Sequence, residues 1–282
     1  MAGGSLRGID APLTWLDAPC VMGIVNVTPD SFSDGGRHLD VGAAAAHARR
    51  LAAEGAAVID VGGESTRPGA VPVTPAEELR RVGPVLDALA RDPVGAPVSI
   101  DTRHADVARV ALDAGAVLVN DVAAGADPAM FPLVAERAAG ICLMHMQGEP
   151  ATMQDRPRYD DVAGEVTAFL ESRMRAAVDA GVREEAIVLD PGIGFGKTAD
   201  HNVALLAGLG SIVALGRPVL VGVSRKGLIG AITGRATGDR LAGSIGAGLA
   251  AVEAGAAVLR VHDVAHTVDA VRAFTRIRGG RG

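Results

Sequence analysis

The chain has 282 residues, 49% hydrophobic and 21% charged, which is enough apolar material for a sizeable core and excludes the disordered class. The formal net charge is −6 and no basic face is visible, which argues against a nucleic-acid or anionic-membrane partner but leaves a small anionic substrate open. Since there is no apolar signal segment and no run near the ~18 apolar residues of a membrane span, we expect a cytoplasmic protein.

Short apolar runs, mostly of Val, Ile and Leu, recur along the chain without a clean polar alternation. Runs of this kind are typical of parallel strands that are buried on both faces of a sheet. A single run could equally belong to a buried helix, but eight in order favour strands. The predicted strands are 21–25, 58–61, 98–100, 117–119, 141–144, 187–189, 219–223 and 258–261.

Ala-rich stretches of helix length lie between these runs. Thr74 can cap the second stretch and Pro75 suits its first turn, while Gly55 is placed to end the first stretch. The predicted helices are 41–54, 75–89, 105–114, 128–139, 161–180, 201–209, a region within 240–254, and 267–276.

Eight strand–helix pairs in alternation predict the α/β class and a single (β/α)8 TIM barrel, which typically has about 250 residues. A doubly wound open sheet is the alternative. We expect residues 1–20, with Trp15 among them, to form an N-terminal hairpin or plug at the barrel bottom, and residues 21–282 to form the barrel domain. The two cysteines, Cys20 and Cys142, lie in apolar runs and lack metal or redox spacing, so we interpret them as buried thiols in a reducing compartment.

Polar residues follow each apolar run at once. In a barrel the carboxyl ends of all strands meet on one face, so these side chains are expected to form one pocket. Any single one could be ordinary loop chemistry, but the set combines hydrogen-bond acceptors with cations and suits an anionic ligand attached to a donor-rich heterocycle. The acceptors are Asp101, Asn120 and Asp190, and the cationic or proton-donating groups are Arg67, Lys226, Arg260 and His262.

Two motifs in the second half of the chain are misleading. The run 192–198, GIGFGKT, looks like a phosphate loop, but Pro191 stands where that pattern needs glycine and the glycine spacing also misses the dinucleotide-binding fingerprint. His145 beside Met144 does not indicate a metal site, and we interpret it as a polar group that lines or supports the pocket.

Several motifs together resemble those of the dihydropteroate synthases. NVTPDSFSDGG at 26–36 and DVGGESTRPGA at 60–70 match the two signature loops of that family, and SIDT, ND, LMHMQG, DPGIGFGK, SRK and RVHDV follow in the family's order. The resemblance covers nearly the whole chain after residue 20. One departure is visible, since Ala123-Ala124 stands where the family often has Ser-Gly, which affects local loop detail.

The resemblance implies a role for each matching residue. It implies an enzyme that joins 6-hydroxymethyl-7,8-dihydropterin pyrophosphate to p-aminobenzoate, with Mg2+ as cofactor, small-molecule substrates as partners and a homodimer as the common assembly. By this resemblance Asn26 would hold the magnesium, and Thr66 and Arg67 would lie on a mobile loop over the site. The pterin would be bound by Asp101, Asn120, Asp190 and Lys226, and the pyrophosphate by Arg260 and His262. The p-aminobenzoate pocket would be bordered by Pro68, Phe195 and Ser224, Met144 would complete the substrate-binding set, and the catalytic residues would be Asp101, Lys226, Arg67 and His262.

Two other functions compete with this interpretation. A pterin-binding methyltransferase barrel would share the Asp and Asn contacts but has no need of a pyrophosphate cluster. A non-catalytic pterin-binding paralogue would have lost loop or anion-binding residues, whereas this chain keeps Asn26, Arg67, Lys226 and His262. Both alternatives are separated from the synthase by testing for pyrophosphate release.

Overall fold

The structure, a computed structural model, describes residues 19–28, 40–66 and 69–279. Its elements alternate between strand and helix along the chain. The strands are β1 (Cys20–Asn26), β2 (Val58–Gly62), β3 (Val98–Asp101), β4 (Leu118–Asp121), β5 (Gly140–Met144), β6 (Ile187–Asp190), β7 (Leu220–Val221) and β8 (Val258–Val261). The helices are α1 (Val41–Ala53), α2 (Pro75–Arg91), α3 (Ala105–Asp113), α4 (Met130–Glu136), α5 (Val162–Asp179), α6 (Ala199–Ala207), α7 (Gly210–Val213), α8 (Gly227–Thr233), α9 (Leu241–Glu253) and α10 (Val264–Gly279).

The eight strands form one parallel sheet in the order β6-β5-β4-β3-β2-β1-β8-β7. The two ends of this order meet through a single bridge between Leu189 and Val219, where the Leu189 N–H donates to the Pro218 carbonyl at 2.9 Å. The sheet is therefore a nearly closed barrel. The TIM-barrel prediction is confirmed, and the doubly wound alternative is wrong because both edges of the order pair with each other.

Two apolar layers explain why the strands read as continuous hydrophobic runs. The smaller layer fills one end of the barrel interior with Met22, Val58, Leu118, Cys142, Val188, Leu220 and Val258. The larger layer packs the outer faces of the strands against the helices, with Ile59, Ile100 and Leu143 fully buried. Because both faces are covered, neither needs polar residues except where a strand approaches the open end of the barrel.

Side-chain caps fix where several helices begin. Thr74 accepts a hydrogen bond from the Glu77 N–H at 3.2 Å and Pro75 starts α2, as predicted from the sequence. α7 and α8 were not predicted because both are short, and α8 ends at Gly234 in the left-handed conformation (φ 70). The part of the chain that the structure describes contains no helix long and apolar enough to cross a membrane. Of the expected plug at residues 1–20, residues 1–18 lie outside the described residues, and Cys20 begins β1.

Candidate active site at the carboxyl ends of the strands

The strand register brings distant polar residues to one rim. Asn26 at the end of β1 pairs in register with Gly62, which pairs with Asp101, which pairs with Asn120. Met144 at the end of β5 pairs with Asp190 at the end of β6. Residues in register on parallel strands project to the same side, so these positions share the inner, carboxyl-terminal rim of the barrel.

An arginine fork joins three strands inside this rim. Arg260 of β8 donates from Nε to Asp60 Oδ2 at 2.6 Å and from Nη2 to Asp101 Oδ2 at 2.6 Å. Burial raises the pKa of Asp101 to about 7, although the Arg260 guanidinium lowers it. Because burial and the neighbouring Asp60 carboxylate outweigh the Arg260 cation, Asp101 loses its charge more easily than an ordinary aspartate.

Asp60 is a site residue that the sequence reasoning missed. Its side chain is fully buried in β2, and Oδ2 accepts from Arg260 and, at 2.9 Å, from Asn120 Nδ2. Asp60 thus orients both Arg260, a candidate for binding the anion, and Asn120, a candidate for binding the pterin. The sequence signal was present, since an aspartate inside the apolar run VIDVG has to find a buried partner.

Replacing Asp60 by asparagine should weaken the fold measurably. The change removes the charge-assisted bond to Arg260 and turns one buried acceptor into a donor, so the free energy of unfolding should fall by about 1–3 kcal/mol. Urea denaturation measures this loss. Ser99→Ala is the matched control, because the buried Ser99 hydroxyl has no hydrogen-bond partner among the described residues and its removal should change stability little. Equal losses in the two variants would contradict the role of Asp60.

Asp190 and Lys226 lie on the opposite side of the rim. Asp190 is buried, its Oδ1 accepts from the Gly192 N–H at 2.7 Å, and burial raises its pKa. Lys226 donates from Nζ to the Ile193 carbonyl, and its Nζ lies 4.3 Å from the centre of the Phe195 ring. Burial lowers the pKa of Lys226 to about 8, although Asp190 raises it. The site therefore contains a carboxylate, an ammonium group and an aromatic face close together.

Ser224 and His262 pair across the ends of β7 and β8. Ser224 Oγ lies 3.1 Å from His262 Nδ1, and the His262 N–H donates to Ser224 Oγ at 3.2 Å. A cavity of about 360 Å³ opens beside His262, between α1 and the start of α10, with Arg225 and His266 in its wall. Of the described site residues, only His262 lines this cavity, which lies between two outer helices.

A cluster with metal-like spacing lies outside this rim. Ligand atoms of Glu64, Glu78 and His104 all lie within 4.8 Å of one another, so these three side chains could hold a metal ion. Arg103 already donates to both oxygens of Glu64, at 3.0 and 2.9 Å. Arg103 thus already uses both oxygens of Glu64, and the cluster contains none of the predicted metal ligands.

The structure brings most of the predicted site residues together. Asp101, Asn120, Asp190, Lys226 and Arg260 line the inner rim, with Asn26, Met144, Phe195, Ser224 and His262 around them. Thr66 follows the carboxyl end of β2, and its neighbours Arg67 and Pro68 lie outside the described residues. Ala124, at the position where the resembled family often has glycine, takes a left-handed φ of 51°.

The amino-acid sequence of the chain is similar to those of known pterin-binding enzymes. The model of the pterin binding enzyme family matches residues 22–262. The dihydropteroate synthase of Neisseria meningitidis serogroup B is 49% identical over 92% of this chain and 93% of that protein, and the Escherichia coli K12 enzyme is 46% identical over 91% of each.

Solved structures of the same enzyme superpose on the barrel. Xanthomonas albilineans dihydropteroate synthase with 4-aminobenzoic acid is 51% identical, covers 93% of this chain and 94% of that chain, and has a TM-score of 0.87. The same organism's enzyme in complex with 7,8-dihydropteroate is 49% identical, covers 93% and 95%, and has a TM-score of 0.84. With the family model spanning most of the chain and relatives near half identical, the chain belongs to the pterin binding enzymes and, within them, to the dihydropteroate synthases.

Proposed function

We propose that the barrel mouth is where this transferase joins 6-hydroxymethyl-7,8-dihydropterin pyrophosphate to p-aminobenzoate, giving 7,8-dihydropteroate and pyrophosphate in folate synthesis. The observation that carries the proposal is the arrangement of buried acceptors on both sides of the Arg260 fork. A ligand with a donor edge and an anionic tail fits such a pocket, because Asp190 and Asn120 keep acceptor atoms and Arg260 keeps guanidinium donors that the protein does not use.

Asp190, Asn120 and Asp101 are the proposed pterin contacts, with Lys226 beside them. Asp190 uses Oδ1 for the Gly192 N–H, which leaves Oδ2 and remaining lone pairs for the ring's N–H groups. The Asn120 side chain donates one amide N–H to Asp60, so its side-chain oxygen Oδ1 remains available as an acceptor. A flat heterocycle with several N–H donors would therefore find its partners already oriented.

The proposed pyrophosphate contacts are Arg260 and His262, with Arg67 as a further cation. Arg260 gives two N–H groups to Asp60 and Asp101, so three of the five guanidinium donors are left for phosphate oxygens. His262 follows β8, the strand that carries Arg260, so the two side chains belong to the same strand end.

Asn26 is the proposed Mg2+ ligand. It ends β1 at the rim, is only partly buried, and none of the described residues hydrogen-bonds its side chain, so its amide oxygen is available. One protein oxygen fits an ion that prefers octahedral oxygen ligands and usually keeps waters and substrate phosphates around it. When bound, the ion would offset charge on the leaving pyrophosphate.

The proposed surroundings of p-aminobenzoate are Phe195, Ser224 and Pro68. Thr66 is proposed to lie on the loop over the site, and Met144 to complete the substrate-binding set. An aryl amine is a weak nucleophile, so we infer that the carbon–oxygen bond between the pterin methylene and pyrophosphate breaks ahead of attack. Pyrophosphate leaves with the bonding pair, the amine nitrogen then bonds to the cationic methylene carbon, and that nitrogen loses a proton. The Asp101 carboxylate would stabilise the cationic methylene by its field, Arg67 and His262 would neutralise charge on the leaving pyrophosphate, and Lys226 would hold the pterin.

Pyrophosphate release tests this proposal. Incubation with the pterin pyrophosphate, p-aminobenzoate and Mg2+ should release one pyrophosphate for each dihydropteroate formed, and chelation of Mg2+ should lower the rate strongly. Chromatography of the pterin product and an enzymatic pyrophosphate assay measure both. Pterin binding without release would favour the non-catalytic or methyltransferase alternatives, and an unchanged rate after chelation would contradict the role of Mg2+.

The assembly and location expected from the sequence stay predictions. Val203 on α6 and Ile232 on the adjacent α8 are 47% and 62% exposed, which supports the expected homodimer through outer helices. Light scattering coupled to size-exclusion chromatography tests the dimer, and cell fractionation tests the cytoplasmic location.

A further inference from the structure

Lys197 is a buried cation that the proposed reaction does not use. It ends the loop after β6, is 2% exposed, and its Nζ lies 2.9 Å from His145 Nδ1 and 3.0 Å from each of the carbonyl oxygens of Gly192 and Phe195. An ammonium group has three N–H donors, so each of these acceptors can receive one. Among the described residues, no carboxylate forms an ion pair with Lys197.

The loop that Lys197 closes is pressed against the segment after β5. Gly192 (φ 66) and Gly196 (φ 61) adopt left-handed conformations, and a Cβ on them would lie 1.9 Å from the His145 carbonyl oxygen and 2.3 Å from the Gln147 carbonyl oxygen. Only glycine allows this approach. The carbonyls of Gly192 and Phe195 meet the Lys197 ammonium, so one side chain joins the loop to the end of β5.

Phe195 is held by this arrangement at both of its backbone groups. Its N–H donates to the Gly192 carbonyl at 3.0 Å and its carbonyl accepts from Lys197. Its partly buried ring lies against Lys226 of the site. A backbone fixed at both ends leaves only the side-chain torsions to set the position of the ring.

We infer that Lys197 is a positioning residue for the p-aminobenzoate side of the site, because its ammonium group closes the 192–197 turn and thereby fixes Phe195. The inference rests on the proposed function for the identity of the ligand. Lys197 itself touches neither substrate in this arrangement, because its three N–H groups are taken up by the protein.

The neutral state of His145 agrees with this role. Burial and the nearby Lys197 cation lower the pKa of His145 to about 3, so the imidazole is neutral and Nδ1 can accept. Burial also lowers the pKa of Lys197 to about 7, with Asp190 raising it and Lys226 lowering it, so the ammonium form with three N–H donors predominates below that pH. Holding this costly group in place requires the surrounding acceptors.

Lys197→Met tests the inference, since methionine keeps the length and removes all three donors. The KM for p-aminobenzoate should rise about tenfold, the effect of roughly one lost hydrogen bond, whereas the KM for the pterin pyrophosphate should change less than twofold. Gln154→Ala is the matched control, because the exposed Gln154 amide also binds this loop, at the Gly194 carbonyl, but not at Phe195. It should leave both KM values within about twofold.

A double-mutant cycle separates positioning from general damage. If Lys197 acts through Phe195, Lys197→Met combined with Phe195→Ala should be no worse for p-aminobenzoate than Phe195→Ala alone. Losses that multiply, or an equal rise in both KM values, would overturn the inference.

Hydrogen exchange provides a measurement that does not need turnover. Exchange at the Phe195 amide should accelerate in Lys197→Met, and in Lys197→Gln if the first variant does not fold, while the Leu189 amide in β6 should stay protected. Unchanged exchange at Phe195 would also overturn the inference. A wild-type chain without pyrophosphate release would instead contradict the proposed function and leave this exchange test standing.

Discussion

Replacing Asp190 by alanine is expected to abolish measurable pterin binding. Asp190 is buried at the end of β6, where it is the proposed acceptor for two N–H groups of the pterin. Each donor left without a partner in a buried site costs about 1–3 kcal/mol, so two lower the affinity roughly 100-fold or more. Calorimetric titration with bare pterin, without pyrophosphate, measures the loss directly.

Asp121→Asn is the control for this experiment. Asp121 is an equally buried carboxylate at the end of β4, but its oxygens accept from the N–H groups of Ala123 and Gly125 in the following turn. Its replacement should cost stability and leave the pterin affinity unchanged. If Asp190→Ala kept its pterin affinity, or if both variants lost it equally, the pterin site would be wrongly assigned.

Arg260→Ala is expected to have two large effects. The affinity for the pterin pyrophosphate should fall about 100-fold, because two or more charge-assisted hydrogen bonds to phosphate oxygens are lost, whereas the affinity for bare pterin should fall much less. The fold should also lose about 3–5 kcal/mol, because Asp60 and Asp101 are left as buried carboxylates without their shared cation. Parallel calorimetry with the two ligands and urea denaturation measure these effects.

Arg225→Ala provides the matched comparison for the stability effect. Arg225 also forms a two-bonded pair, with Asp263 on the same rim, but its side chain is 45% exposed. An exposed pair contributes at most about 1 kcal/mol, so this variant should remain close to the wild type in unfolding. Equal losses for pyrophosphate-bearing and bare pterin in Arg260→Ala would show that Arg260 does not select the anionic tail.

The barrel could be predicted from sequence because strands buried on both faces leave an unmistakable series of apolar runs. The short helices α7 and α8 could not be predicted, because each has fewer than two helical turns in which a hydrophobic periodicity could be recognised. The strand ends could be predicted to converge, which placed Asp101, Asn120 and Asp190 correctly on one rim. Nothing in the sequence order gives the register, however, and only the register decides which side chains touch.

Asp60 and Lys197 show where this matters. Asp60 lies within a strand rather than at its end, so attention to strand ends passed over it, although it pairs with Arg260, 200 positions away. The sequence places Lys197 in the DPGIGFGK motif and gives it no role, whereas in the structure it contacts His145, 52 positions away, besides its own loop. Both residues act on other protein groups, and such roles depend on tertiary contacts that motif spacing does not encode.

The single bridge between Leu189 and Val219 makes one seam of the barrel weaker than the others. Asp190 ends β6 on one side of this junction, and Ser224 and Lys226 follow β7 on the other side. A pterin bound by residues from both sides would connect β6 and β7, which the backbone joins by that one bridge. With pterin in the proposed site, we therefore expect saturating ligand to raise the stability of the whole barrel as well as fill its mouth.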